Sequence, residues 1–230
     1  MPYKHGMSSS QASKVKRGGH KKEVLFNQRF GDPDAGVNWS GSSADCMLSE
    51  ARLASDFKEW LVSKDLSLDG GVSLKGGKTI QIHLGNLPEL TDKESYSVGE
   101  TPMGNTAVEH GVPFDKQVEN LRDPRFWNKY LKKGDILCYD VPKKKKEDDR
   151  PTEYRFFKMD DVISYICSPA CQWRILDTGR LKGDLDGKAI FTYEYRRIKG
   201  QFVLGAHGGT NGVRFMDILK DNIDVFVVEK

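Results

Sequence analysis

Between Glu23 and His83 the chain holds an unusual density of side chains able to act on a phosphorus centre: Glu23, Asp45, Ser73, Lys75 and Gln81. Hydrolysis of a phosphodiester needs a divalent cation to polarise the phosphoryl oxygen. It also needs a lysine or similar group to orient the attacking water and steady the developing charge. Hard cations take oxygen ligands, so an Asp and a second oxygen donor must meet beside that lysine. Each residue also has a plain structural reading: Glu23 as a helix acid, Asp45 as a cap or turn residue, Lys75 as a solvated strand lysine.

The element that must position Lys75 is the stretch Gly70–Gly85, two runs of apolar/polar alternation broken by Gly76-Gly77. This pattern predicts a β-hairpin with Val72, Leu74, Ile80, Ile82 and Leu84 on one face. Ser73, Lys75, Thr79, Gln81 and His83 fall on the other. A three-residue loop over 76–78 keeps both faces consistent, setting Lys75 opposite Thr79 and Ser73 opposite Gln81.

These residues resemble the PD-(D/E)XK nuclease superfamily, and within it the type II restriction endonucleases. The resemblance rests on Gly18-Gly19-His20-Lys21-Lys22-Glu23 at the first helix, Ser43-Ala44-Asp45 at the metal-binding Asp, and Val72-Ser73-Leu74-Lys75 at the (D/E)-X-K strand. It covers about residues 18 to 85. It implies an α+β fold with an α/β core, in which helices flank a mixed central sheet and the C-terminal half is strand-rich. It further implies Mg²⁺ held by Asp45 and a second ligand, and catalysis by Lys75. Ser73 stands where the family has an acid, so Gln81 or Glu89 would supply the second ligand, with Glu23 completing the site through water. The hairpin register favours Gln81. The implied partners are double-stranded DNA and a second copy of the chain, as a homodimer.

Residues suited to DNA lie further along. Lys143, Lys144, Lys145 and Lys146 form a charge run suited to phosphates, although Glu147, Asp148 and Asp149 follow it at once. Arg196, Arg197 and Lys199 suit backbone contacts. The glycine-rich run Leu204–Phe215 carries His207, Asn211 and Arg214, whose groups can bond base edges. No Gly-Lys-Ser/Thr follows these glycines, which excludes a P-loop. A non-enzymatic nucleic-acid-binding module is the alternative reading of the same segments.

The 230 residues, with a hydrophobic fraction of 37%, suffice for one sizeable core. The expected layout is a basic flexible arm over 1–18, then a single domain over 19–230. Within that domain, a catalytic core spans about 19–142 and a DNA-recognition part about 150–230. The apolar runs are too short for a membrane span and no secretory leader is visible, so a cytoplasmic, prokaryotic setting with reduced cysteines is expected. Helices are predicted over His20–Phe30, Ser49–Leu61, Asp123–Leu131, Asp160–Tyr165 and Phe215–Leu219. Strands are predicted over Asp135–Val141, Tyr154–Phe157, Trp173–Leu176, Ala189–Arg196, Gln201–Leu204 and Asp224–Val228. The segment Asn86–Gln117 reads as a long excursion.

Overall fold

A computed structural model of the chain describes residues 9–35, 44–78, 80–83, 121–141, 152–175, 181–196, 199–204 and 211–230. Over these residues the protein is α+β, with strands gathered into two five-stranded sheets. The chain divides into two compact units, Met1–Leu74 with Lys133–Cys138, and Lys75–Lys132 with Tyr139–Lys230. The division between them falls inside strands. Among the described residues no helix is long and apolar enough to cross a membrane.

The first unit opens with helix α1 (Ser9–Phe30). It begins well before His20, inside the stretch expected to be a flexible arm. Gln, Ala, Lys and Arg in its first half favour a helix, and they outweigh Gly18 and Gly19, which cost about 1 kcal/mol each. Phe26 and Phe30, one turn apart, are buried and define its inner face, while Val24 and Leu25 are exposed. Two adjacent residues cannot share a helix face with Phe26 and Phe30, and the aromatics take it. Gly31 ends the helix where a Cβ would lie 2.5 Å from the Met47 carbonyl. Next come strand β1 (Cys46–Met47), a 3₁₀ turn (Glu50–Arg52) and helix α2 (Ser55–Ser63), which splits the helical run expected over 49–61. Phe57 of α2 meets Phe30 edge-on at 6.1 Å, and Leu61 beside it is fully buried. The unit closes with the greater part of strands β2 (Gly71–Gly76) and β4 (Ile136–Asp140).

The second unit holds helix α3 (Pro124–Tyr130), whose Asp123 cap accepts the Arg125 N–H and whose Pro124 starts the first turn, as the sequence predicts. Strands β5 (Glu153–Lys158) and β10 (Phe226–Glu229) pair antiparallel, with Phe226 opposite Phe156. Helix α4 (Met159–Cys167) lies between β5 and strand β6 (Cys171–Ile175), and helix α5 (Asn211–Asn222) precedes β10. The remaining strands are β3 (Ile80–His83), β7 (Leu181–Leu185), β8 (Lys188–Arg196) and β9 (Lys199–Leu204). One sheet runs β1-β2-β4-β5-β10 and the other β3-β9-β8-β7-β6.

This topology overturns the predicted hairpin. β2 and β3 belong to different sheets, and β3 pairs with β9, Gln81 standing opposite Val203. Gly77, at φ 99°, lies in the connection from one sheet to the other. Alternation predicts strands and their faces but is silent on partners, and β3 keeps its predicted faces against β9: Ile80 and Ile82 buried, Gln81 exposed.

Strand β7, LKGDL, was not among the predicted elements. Its alternation is present, but the central inward position is Gly183, which carries no apolar signal. A Cβ there would lie 2.5 Å from the Trp173 ring. Trp173 in turn stacks on Trp127 at 6.0 Å and packs on Phe191 at 5.3 Å. Gly183→Ala must therefore displace a ring held on other faces, and about 1–3 kcal/mol of stability should be lost. Urea unfolding followed by tryptophan fluorescence measures it; a loss below about 0.5 kcal/mol would show that the ring can move freely.

Candidate active site

Asp45 and Ser73 come together on β2. β1 runs antiparallel to it with Cys46 opposite Val72 and Met47 opposite Gly71. Just before β1, the Asp45 N–H donates to the Val72 carbonyl at 3.0 Å. Its side chain reaches back to the same strand, where Oδ2 accepts the Leu74 N–H at 2.9 Å and the Ser73 hydroxyl at 3.4 Å. Ser73 is fully buried. Where the resemblance calls for an acid, this chain has a donor that holds Asp45 in place. Two donors on one oxygen fix the carboxylate plane.

The close approach of these segments depends on small residues. A Cβ on Gly71 would lie 3.0 Å from the Ala44 Cβ, and one on Gly134 would lie 2.4 Å from the Gly71 carbonyl oxygen. The role of Gly134 has no signal in the sequence, because its partner lies some sixty residues away.

Lys75 is half-buried and follows Ser73 by two positions on β2, so strand periodicity sets both on one side. Glu23 comes from α1. It lies in register with the inner face, three positions before Phe26, four before the buried Asn27 and seven before Phe30. A carboxylate on the packed stripe of a helix is uncommon, and this spacing was readable from the sequence. The charges of Glu23 and Asp45 both act on the buried Cys46 thiol. Its pKa is pushed up to about 12, first by burial and then by these two charges. The thiol stays protonated at neutral pH.

Asp45 is held against β2, the strand that also carries Lys75, and the Glu23 charge acts on the Cys46 thiol next to Asp45 in the chain. Carboxylate oxygens are the ligands that hard divalent cations take. Among the described residues no group of three or more His, Cys, Asp or Glu side chains is gathered as a metal site.

The other predicted residues are placed differently. Gln81, chosen as second ligand because it would face Ser73 across a hairpin, is an exposed residue of the other sheet, and that ground for choosing it is gone. Asn211 opens α5, and its amide donates to the Ala189 carbonyl at 2.9 Å while its Oδ1 accepts from Arg214 at 3.4 Å. The adjacent Gly212 is buried with its N–H on the Lys78 carbonyl at 3.0 Å. Asn211 thus fastens α5 to β8. Arg196 and Lys199 are paired at the end of β8 and β9. Glu89, Lys143, Lys144, Lys145, Lys146, Arg197 and His207 lie outside the described residues. No protein family, curated protein or solved structure matches this chain.

Two outcomes follow from this geometry. Asp45→Ala leaves the Leu74 N–H and the Ser73 hydroxyl without their acceptor and should lower stability by about 1–3 kcal/mol. Asp45→Asn keeps an oxygen acceptor and should stay within about 1 kcal/mol of the parent; equal losses in urea would show that the carboxylate does not hold the strand.

The second concerns pH. The unfolded Cys46 thiol ionises near the ordinary value of 9.0, whereas the folded one keeps its proton to about 12. The folded state therefore binds the extra proton in that window, and stability falls as pH rises from 9 towards 12. Urea midpoints at pH 8 and 10.5 should differ less in Cys46→Ala than in the parent; an identical drop in both would contradict the buried thiol.

Proposed function

We propose that this protein is a Mg²⁺-dependent, sequence-specific endonuclease of restriction type acting on double-stranded DNA. The observation that supports it best is the Asp45 carboxylate bonded to Ser73 and Leu74, immediately before Lys75 on one strand. The proposal includes the restriction-endonuclease-like fold and the homodimer that two-strand cutting at a two-fold site requires.

In this reading Asp45 and Glu23 would hold Mg²⁺ through their carboxylate oxygens. The cation supplies Lewis acidity at the phosphoryl oxygen and lowers the pKa of bound water. Lys75 donates to the attacking water and to the non-bridging oxygen on which charge grows, so its contribution is largest in the transition state. Ser73 fixes the Asp45 carboxylate and does not itself touch the cation. With the hairpin gone, Glu23 replaces Gln81 as the preferred second ligand, because it shares with Asp45 the neighbourhood of Cys46.

Lys75→Ala should lower the cleavage rate of a duplex substrate by about two orders of magnitude or more, with binding kept within about tenfold. Glu23→Gln should raise the Mg²⁺ needed for half-maximal rate, whereas Gln81→Ala should leave it unchanged. Cleavage that survives Lys75→Ala would overturn the assignment. A dead Glu89→Ala beside a normal Glu23→Gln would move the second ligand to Glu89. Duplex binding without cleavage under any divalent cation would leave the nucleic-acid-binding module.

A further inference from the structure

The first half of α1 takes no part in this site, yet it has the most one-sided charge of any described helix. Between Ser9 and Lys22 the sequence carries Lys14, Lys16, Arg17, Lys21 and Lys22 and no acid; the first is Glu23. Arg17 and Lys21 are exposed one helical turn apart, and the exposed Gln28 continues their row two turns later. Lys14 belongs to the same row, three positions before Arg17 and seven before Lys21. A Cβ built on Gly18 or Gly19 would meet nothing within 4 Å, so the backbone between the two cations is open. The other end of the helix is anchored, since Phe26 and Phe30 are buried and Phe30 packs on Phe57.

We propose that the Ser9–Lys22 half of α1 is a preformed nucleic-acid-binding helix that docks on duplex DNA and sets Arg17 and Lys21 on phosphates. Charge complementarity names the partner: five cations over nine positions, with no acid among them, match a polyanion. A helix about 10–12 Å across enters a major groove about 12 Å wide. Its cations are Lys and Arg set for phosphates, so the contact adds affinity on every sequence. An anionic membrane fits less well. A surface-bound helix sets Trp, Phe and Leu opposite its cations. Here the aromatics are packed inside, and the exposed Val24 and Leu25 adjoin the cationic row. The proposal rests on the reading above only for nucleic acid as partner, not for the cleavage chemistry.

Fluorescence anisotropy of a labelled 30-base-pair duplex tests it on the full chain without divalent metal, with salt as the variable. Arg17→Ala with Lys21→Ala keeps good helix formers at exposed positions, so the fold is retained. This variant should bind at least tenfold more weakly at 150 mM salt on cognate and random duplexes alike. Its salt dependence should flatten by about two units of slope. Gly18→Ala with Gly19→Ala stiffens the helix and fills open space, and should tighten binding several-fold. Unchanged affinity and slope in the first variant overturn the proposal. So does unchanged affinity in the second, which is the behaviour of a charged arm that binds without being a helix, and so does binding to phosphatidylglycerol vesicles in preference to DNA. If the variants behave as expected while the parent cleaves no DNA with Mg²⁺, this inference stands and the endonuclease reading falls. Normal cleavage with unaffected binding does the reverse.

Discussion

One carboxylate fastens β2 to the segment before β1. Asp45 precedes a strand of only two residues, and a pairing that short cannot hold its register by ladder bonds alone. The side chain supplies the missing bonds by accepting from the Leu74 N–H and the Ser73 hydroxyl. β2 is thus tied to Asp45. The same contacts explain the serine at the acid position. A second carboxylate in that buried spot would repel Asp45 when no cation is bound, whereas a hydroxyl donates to it. The additional negative charge comes from α1, through Glu23.

Much of this was legible in the sequence, for identifiable reasons. Asp45, Ser73 and Lys75 could be grouped because their residue types and order match a known chemistry, and β1 and β2 are near neighbours in the chain. α3 was legible because Asp123 and Pro124 are both local signals. The pairing of β3 was not, because Ile80, Gln81 and Ile82 alternate equally well against β2 or β9, and the partner segment Lys199–Leu204 lies more than a hundred residues away. The structural bond of Asn211 was hidden for a related reason. A bidentate amide among glycines suits a base edge, but it also suits a helix start that must be fastened to the neighbouring β8 backbone.

The charged interior of the second unit shows how a charge can be structural. Arg155 is buried between Glu153 at 2.6 Å and Asp217 at 2.7 Å, and Lys220 reaches the same Glu153 at 3.3 Å. These four groups join β5 to α5 and satisfy one another, so burial is compensated within the cluster. Glu23 and Asp45 differ in kind: both charges raise the pKa of the Cys46 thiol instead of offsetting a cation there.

The central claim is that Asp45 and Lys75 serve metal-dependent hydrolysis of DNA. Its most direct test is digestion of phage DNA by the purified chain across a Mg²⁺ titration, resolved on a gel beside a chelator control. The account expects discrete fragments that appear with Mg²⁺ and vanish with the chelator. Intact DNA at every Mg²⁺ concentration, from protein that still binds the duplex, would contradict it.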